Sequence, residues 1–210
     1  MKKSILLLCL LCSLNLFSQS LFNTYEKGTI TFKDGTQTTG ILKITGFSKN
    51  EIKFKKSKED KKQLLNYKKV KSIEFLSGDE YFYKINTKRR KILLLKRELK
   101  GKLNLFSYTV QSAGVPAGGG GFPGGGLSIG FSFGGGASIV YLIGKEDSDL
   151  VDQLPRNYRK KKFWDTISKY TSKCKDFSDK IKNKKSIKKN FKNRNTAVVD
   201  MVNYYNDHCN

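Results

Sequence analysis

An α+β fold is predicted: a small antiparallel β-barrel or curled sheet followed by a C-terminal helical segment. Three observations point to it. Apolar and polar residues alternate in short runs between residues 21 and 110, with Gly and Asp between the runs. After residue 160 a spacing of four and three residues replaces that alternation. Between them, from Leu103 to Gly144, there is no charged residue. Alternation sets one face of a strand against a core, and the four-three spacing does the same for a helix.

The chain opens with Met1, Lys2 and Lys3. An apolar run follows from Ile5 to Phe17, broken only by Ser13 and Asn15, and then Ser18, Gln19 and Ser20. A positive start, a short apolar run and small residues at the positions a signal peptidase reads form the pattern of a cleaved secretory signal peptide over residues 1–20. The run is short for a membrane span. Cys9 and Cys12 each follow Leu, not the small residue that precedes a lipidated cysteine. The expected location is therefore outside the cytoplasm: periplasmic, outer-membrane-associated or secreted.

The β-domain is expected over residues 21–146. Residues 28–33 (GTITFK) alternate, Asp34 and Gly35 mark a tight turn, and residues 39–45 (TGILKIT) return. Further runs follow at 51–55, 70–75, 80–85, 91–95 and 102–106, with Ser77, Gly78 and Asp79 separating 70–75 from 80–85. Lys at many outward positions keeps one face solvated and discourages edge pairing. A glycine-rich insertion over 112–136 contains GGGGFPGGG at 118–126. Glycine at this density forms no stable helix, and no phosphate-binding Gly-Lys-Ser/Thr follows a strand there. The expectation is a long hairpin excursion. A sharper reading gives it an apolar tip at Phe122, Phe131 and Phe133 that touches lipid or a partner protein. Residues 137–143 read as one more strand.

The helical tail is expected over residues 147–210. Phe163, Ile167, Tyr170, Cys174, Phe177 and Ile181 form one apolar stripe with Trp164 beside it. Asp176 or Ser178 would cap a break in that stripe. Residues 182–195, rich in Lys and Asn, read as a solvated connection. Thr196 would cap a last helix with Val198, Met201, Val202 and Tyr205 inward. Cys174 and Cys209 are the only cysteines left once the leader is removed, and an even pair in an exported chain reads as one disulfide.

Taken with their order, several of these segments resemble a group of short secreted proteins of unknown function from Bacteroidota-type bacteria. The matching residues are 28–35 (GTITFKDG) with Gly40, Ile41 and Leu42, then 99–106 (LKGKLNLF), 174–181 (CKDFSDKI) and 204–209 (YYNDHC). The likeness spans most of the exported chain outside the glycine-rich insertion. It implies a small N-terminal β-domain with a C-terminal helical segment, and an exported location. It implies no activity.

The net charge is +23, and loss of Lys2 and Lys3 would lower it to +21. A field of that sign draws anionic surfaces and polymers. The candidate anionic-surface contacts are Lys88, Arg89, Arg90 and Lys91, and Arg159, Lys160, Lys161 and Lys162. The aromatics near the basic runs, Tyr67, Tyr81, Tyr83, Tyr158 and Trp164, fall at strand and helix periods and read as core. No catalytic constellation stands out. The single His208 adjoins Cys209, gives no two-histidine metal motif, and with Cys174 would fall short of a four-ligand zinc site. Pairs such as Asp147 with Asp149, or Glu26 with Asp34, carry no mark of an acid–base couple. No cofactor or metal is expected. The leading expectation is a non-catalytic cell-envelope or secreted interaction protein whose basic faces meet anionic lipid or polysaccharide. A protein partner and membrane-peripheral contact are compatible with it. Behind it stand an extracellular nucleic-acid binder and an enzyme whose site is assembled only in three dimensions. Intact-mass measurement of the exported form should give a chain starting at or near Leu21; retention of Met1 would refute the leader assignment.

Overall fold

The computed structural model describes residues 25–44, 51–111, 137–193 and 196–209. The expected leader and the glycine-rich insertion with Phe122, Phe131 and Phe133 lie outside these residues. Strand β1 (Glu26–Phe32) turns at Gly35 into β2 (Gln37–Ile44). Gly35 sits at φ +88°, a conformation glycine adopts without the Cβ penalty. The Asp34 carboxylate accepts from the Thr36 amide at 2.9 Å and so fixes that turn. β3 (Ile52–Lys55), β4 (Gln63–Leu64) and β5 (Val70–Phe75) follow. Then come β6 (Glu80–Asn86), β7 (Lys91–Leu99), β8 (Leu103–Gln111), β9 (Ala137–Lys145) and β10 (Leu150–Gln153). The helices are α1 (Lys161–Thr171), α2 (Lys175–Ile181), α3 (Lys184–Asn190) and α4 (Ala197–His208).

All ten strands belong to one sheet in the order β10-β9-β8-β7-β6-β5-β1-β2-β3-β4. β10 also pairs with β6, in parallel, through Leu150 with Ile85 and Val151 with Asn86. That pairing closes β6 to β10 into a five-stranded barrel. β6 divides its partners along its length: residues 80–82 meet β5, and residues 85–86 meet β10. The remaining strands leave the barrel as a curled arm. The α+β prediction of a small barrel with a helical tail therefore holds.

Register shows why the uncharged stretch is uncharged. β8 and β9 pair over nine positions, from Leu103 with Lys145 to Gln111 with Ala137. One face of this hairpin carries Phe106 and Leu142, which pack with Leu95 and Val151 inside the barrel. The other face carries Leu103, Leu105 and Ile143, which pack under the helices. A strand buried on both faces reads as nearly continuous apolar sequence. The arm has a core of its own, with Ile30, Leu42, Ile52, Val70 and Ile73 against Tyr81, Tyr83 and Leu94.

The apolar stripe of the tail survives a break in the helix. Phe163, Ile167, Phe177 and Ile181 are all buried in the core beneath the helices. The break falls at residues 172–174, with Cys174 at the N-cap of α2, rather than at Asp176 or Ser178. Two further departures have local causes. Residues 184–190 are helical, not a solvated connection, because Asn183 caps the Ser186 amide at 2.9 Å and Ile187 is fully buried. Residues 150–153 form β10, a strand beyond the boundary expected at 146. Its four residues are too few for alternation to register.

Cys174 and Cys209 are disulfide-bonded with Cα atoms 5.6 Å apart. The bond spans 35 positions, which in the chain-entropy model removes about 4 kcal/mol of freedom from the unfolded chain. Asn206 supports it from α4: its side chain accepts from the Leu103 amide and donates to the Leu103 carbonyl, both at 3.0 Å. Segments 99–106 and 204–209, far apart in sequence, thus meet where the last helix docks.

Candidate functional site

Two features can meet a ligand: a basic surface over the helices and a groove on the sheet. The basic surface begins with the turn between β6 and β7. Lys88, Arg89, Arg90 and Lys91 are all exposed there. Asn86 shapes the turn. Its side-chain oxygen accepts from the Arg89 amide at 2.9 Å and its carbonyl from the Arg90 amide at 2.8 Å. Arg90 takes φ 50°, in the left-handed region that non-glycine residues enter mainly in tight turns.

Asp152 joins this turn to the helices. The β10 carboxylate accepts from the Thr87 hydroxyl and from the Tyr170 hydroxyl of α1, the latter at 3.0 Å. Lys169 lies 3.9 Å from the same carboxylate. The 88–91 turn is therefore neighbour to the C-terminal end of α1. The second predicted cluster sits at the other end of that helix. The helix between them has eleven residues and is about 16 Å long at ~1.5 Å per residue. Lys160, Lys161 and Lys162 are exposed, whereas Arg159 is half-buried with its guanidinium 5.5 Å from the Tyr158 ring. Arg159 is thus a packing residue as much as a surface one. None of these eight cations makes an ion pair among the described residues.

The sequence reading took the lysines of residues 180–192 as a solvated basic run; helices α2 and α3 order them instead. Residues 156–192 hold fifteen Lys and Arg against three Asp. Ion pairs in this stretch are confined, among the described residues, to Lys182 with Asp179 at 3.8 Å and Lys169 with Asp152. Ile187 anchors α3 from below and turns Lys184, Lys185, Lys188 and Lys189 outward, all exposed. The 182–195 run was legible as charge, but the single buried Ile that orients it was too weak a helical signal. His208 is exposed and stacks on Tyr204 with centroids 4.1 Å apart. The aromatics read as core are mostly that: Tyr81, Tyr83 and Tyr158 are buried. The Trp164 indole donates to the Tyr158 carbonyl at 2.7 Å.

The second feature is a groove of about 310 Å³ where the arm meets the outer face of β6 to β8. Leu42 and Ile44 come from the arm, Phe75 and Tyr81 from β5 and β6, and Glu98 and Ser107 from β7 and β8. Asp79 is ion-paired with Lys96 at 2.7 Å, and the Ser107 hydroxyl donates to Glu98. No spacing rule exposes these residues, because cross-strand neighbours such as Tyr81 and Lys96 are set by register alone. Burial, first, and then the carboxylates of Asp79, Glu98 and Glu26 push the Tyr81 phenol up to about 12. It therefore remains a neutral hydroxyl at physiological pH. Burial likewise raises Tyr83 and Tyr170.

No family model, curated protein or solved structure matches the chain.

A phenol whose folded-state pKa is raised contributes stability that is complete below its unfolded pKa, near 10. That stability is lost as pH rises through the folded value. Stability should therefore hold to about pH 10 and fall toward pH 12, with Tyr81 alone accounting for roughly 2 kcal/mol at the upper end. Denaturant titrations across this range, with phenolate absorbance recorded alongside, should show a shallower alkaline slope for Tyr81→Phe. An unchanged slope would exclude Tyr81 as a contributor.

Proposed function

We propose that this is a non-catalytic exported interaction protein that attaches electrostatically to anionic surfaces, lipid headgroups or polysaccharide, through its helical cap and the neighbouring 88–91 turn. The observation that carries this reading is the lysine density of residues 156–192 on helices held in fixed orientation. So many like charges repel one another. The buried stripe and the Cys174–Cys209 bond offset that repulsion and keep the charges on one structured surface. A solvated basic face of this kind gains roughly 1 kcal/mol for each Lys or Arg brought near an anionic membrane surface, and its range shrinks to about 10 Å at 0.1 M salt.

Lysine outnumbers arginine heavily in this stretch, with only Arg156 and Arg159. Lysine acts as a compact point charge rather than a bidentate fork. That suits a diffuse anionic surface better than one shaped anion. The buried rings of Tyr81, Tyr83 and Tyr158 also leave those residues unable to stack on bases, which favours surface attachment over nucleic-acid binding. No described helix is long and apolar enough to cross a membrane, and attachment of this kind requires none.

Vesicles of phosphatidylglycerol and phosphatidylcholine should co-sediment the protein at about 50 mM salt and release it by about 500 mM, while pure phosphatidylcholine vesicles should not bind it. Replacing Lys184, Lys185, Lys188 and Lys189 by Gln should weaken binding at least about tenfold without lowering the melting temperature, since all four are exposed. Binding indifferent to salt, or unaltered by the fourfold substitution, would contradict the reading. An anionic polysaccharide assayed in parallel separates the two kinds of surface.

A further inference from the structure

We propose that the groove between the arm and the barrel is a binding site for a small ligand with an ammonium group on an aliphatic body. The inference is independent of the basic surface. At about 310 Å³ the groove lies at the lower end of the range for small-molecule sites. It also has the composition of one, an apolar wall with a few polar groups converging on it.

The wall favours a short aliphatic body. Leu42 and Ile44 are buried side chains of the arm, and Ile139 stands at the rim, 54% exposed. Phe75 and Tyr81 meet edge to face with centroids 5.6 Å apart. Aromatic faces beside a cation attract it through the ring quadrupole.

The polar groups select charge. The chain has 41 basic and 18 acidic residues, yet the groove is lined by Glu26, Asp79 and Glu98 against the single Lys96. Lys96 is taken by Asp79 at 2.7 Å. Glu98 accepts from the Ser107 hydroxyl, and neither Glu26 nor Glu98 has a cationic partner among the described residues. Two carboxylates without a cation, beside a neutral phenol and an apolar wall, complement an ammonium group. They repel a carboxylate or phosphate. Anions are drawn instead to the helical surface, so the two features sort ligands by sign.

The test uses the exported chain and two probes of equal length and opposite charge, n-hexylammonium and hexanoate. Each is titrated while backbone amide resonances are followed. Hexylammonium should shift amides around Tyr81, Glu98 and Ser107 saturably, and hexanoate should bind there at least about tenfold more weakly. Combined Glu26→Gln and Glu98→Gln substitution should weaken hexylammonium at least about tenfold. Both carboxylates are exposed, so the melting temperature should not change. A variant that did melt lower is replaced by wild type titrated at about 500 mM salt, where screening of the carboxylates should weaken hexylammonium binding severalfold. Equal binding of both probes overturns the proposal. So do shifts confined to other surfaces, the absence of saturable binding, or binding insensitive to both the substitutions and salt.

Discussion

The parallel pairing of β10 with β6 is the contact on which the rest of the structure depends. Only two residue pairs make it, but without it the sheet would have no closure and β8–β9 would have no enclosed face. Backbone bonds reinforce it on either side, from the Ile85 amide to the Asp149 carbonyl at 2.8 Å and from the Thr87 amide to the Val151 carbonyl at 3.0 Å. Lys84 adds a side-chain tether. Its buried amine donates to the Ser148 carbonyl at 2.8 Å, lies 3.7 Å from Asp149, and is 5.7 and 5.8 Å from the centroids of the Phe82 and Phe106 rings. Burial pulls the Lys84 amine below its ordinary value, and Asp149 opposes that pull. A buried cation so placed needs both partners, which ties the β9–β10 turn to β6.

Closure then determines where the helices lie. β10 presents Val151 to the barrel interior and Asp152 to the outside, and Asp152 holds both the turn after β6 and α1. From α1 the apolar stripe runs on through α2, and the disulfide and Asn206 return α4 to the start of β8. The order of causes is thus barrel, then cap, then charged surface. A lysine-dense segment without that buried stripe would lack the apolar surface to offset its own repulsion.

Much of the fold was legible in local pattern. The alternation before and after Gly35 became the β1–β2 hairpin, Glu26–Phe32 with Gln37–Ile44, and the four-three spacing from Phe163 to Ile181 became the buried stripe. The cysteine count became the bond between Cys174 and Cys209. What pattern did not reveal depends on few residues or on distant pairing. β10 is four residues long and finds β6 across more than sixty positions. α3 rests on one buried Ile187. The groove gathers Glu26, Tyr81 and Glu98 through register that no single strand displays. Of the eight candidate surface residues, seven are exposed, while Arg159 is half-buried against Tyr158.

The most direct test of this order of causes is amide hydrogen exchange on an Asp152→Ala variant. Removing the carboxylate leaves the Thr87 and Tyr170 hydroxyls without their acceptor, and Asp152 is only 18% exposed. Two hydrogen bonds to a charged acceptor at ~1.5–3 kcal/mol each suggest a loss of roughly 3 kcal/mol. Protection should fall together in the second half of β6, in β10 and in α1, while the β1–β2 hairpin keeps its own. Unchanged protection in α1, or an equal loss throughout the arm, would contradict the claim that β10 joins barrel to cap.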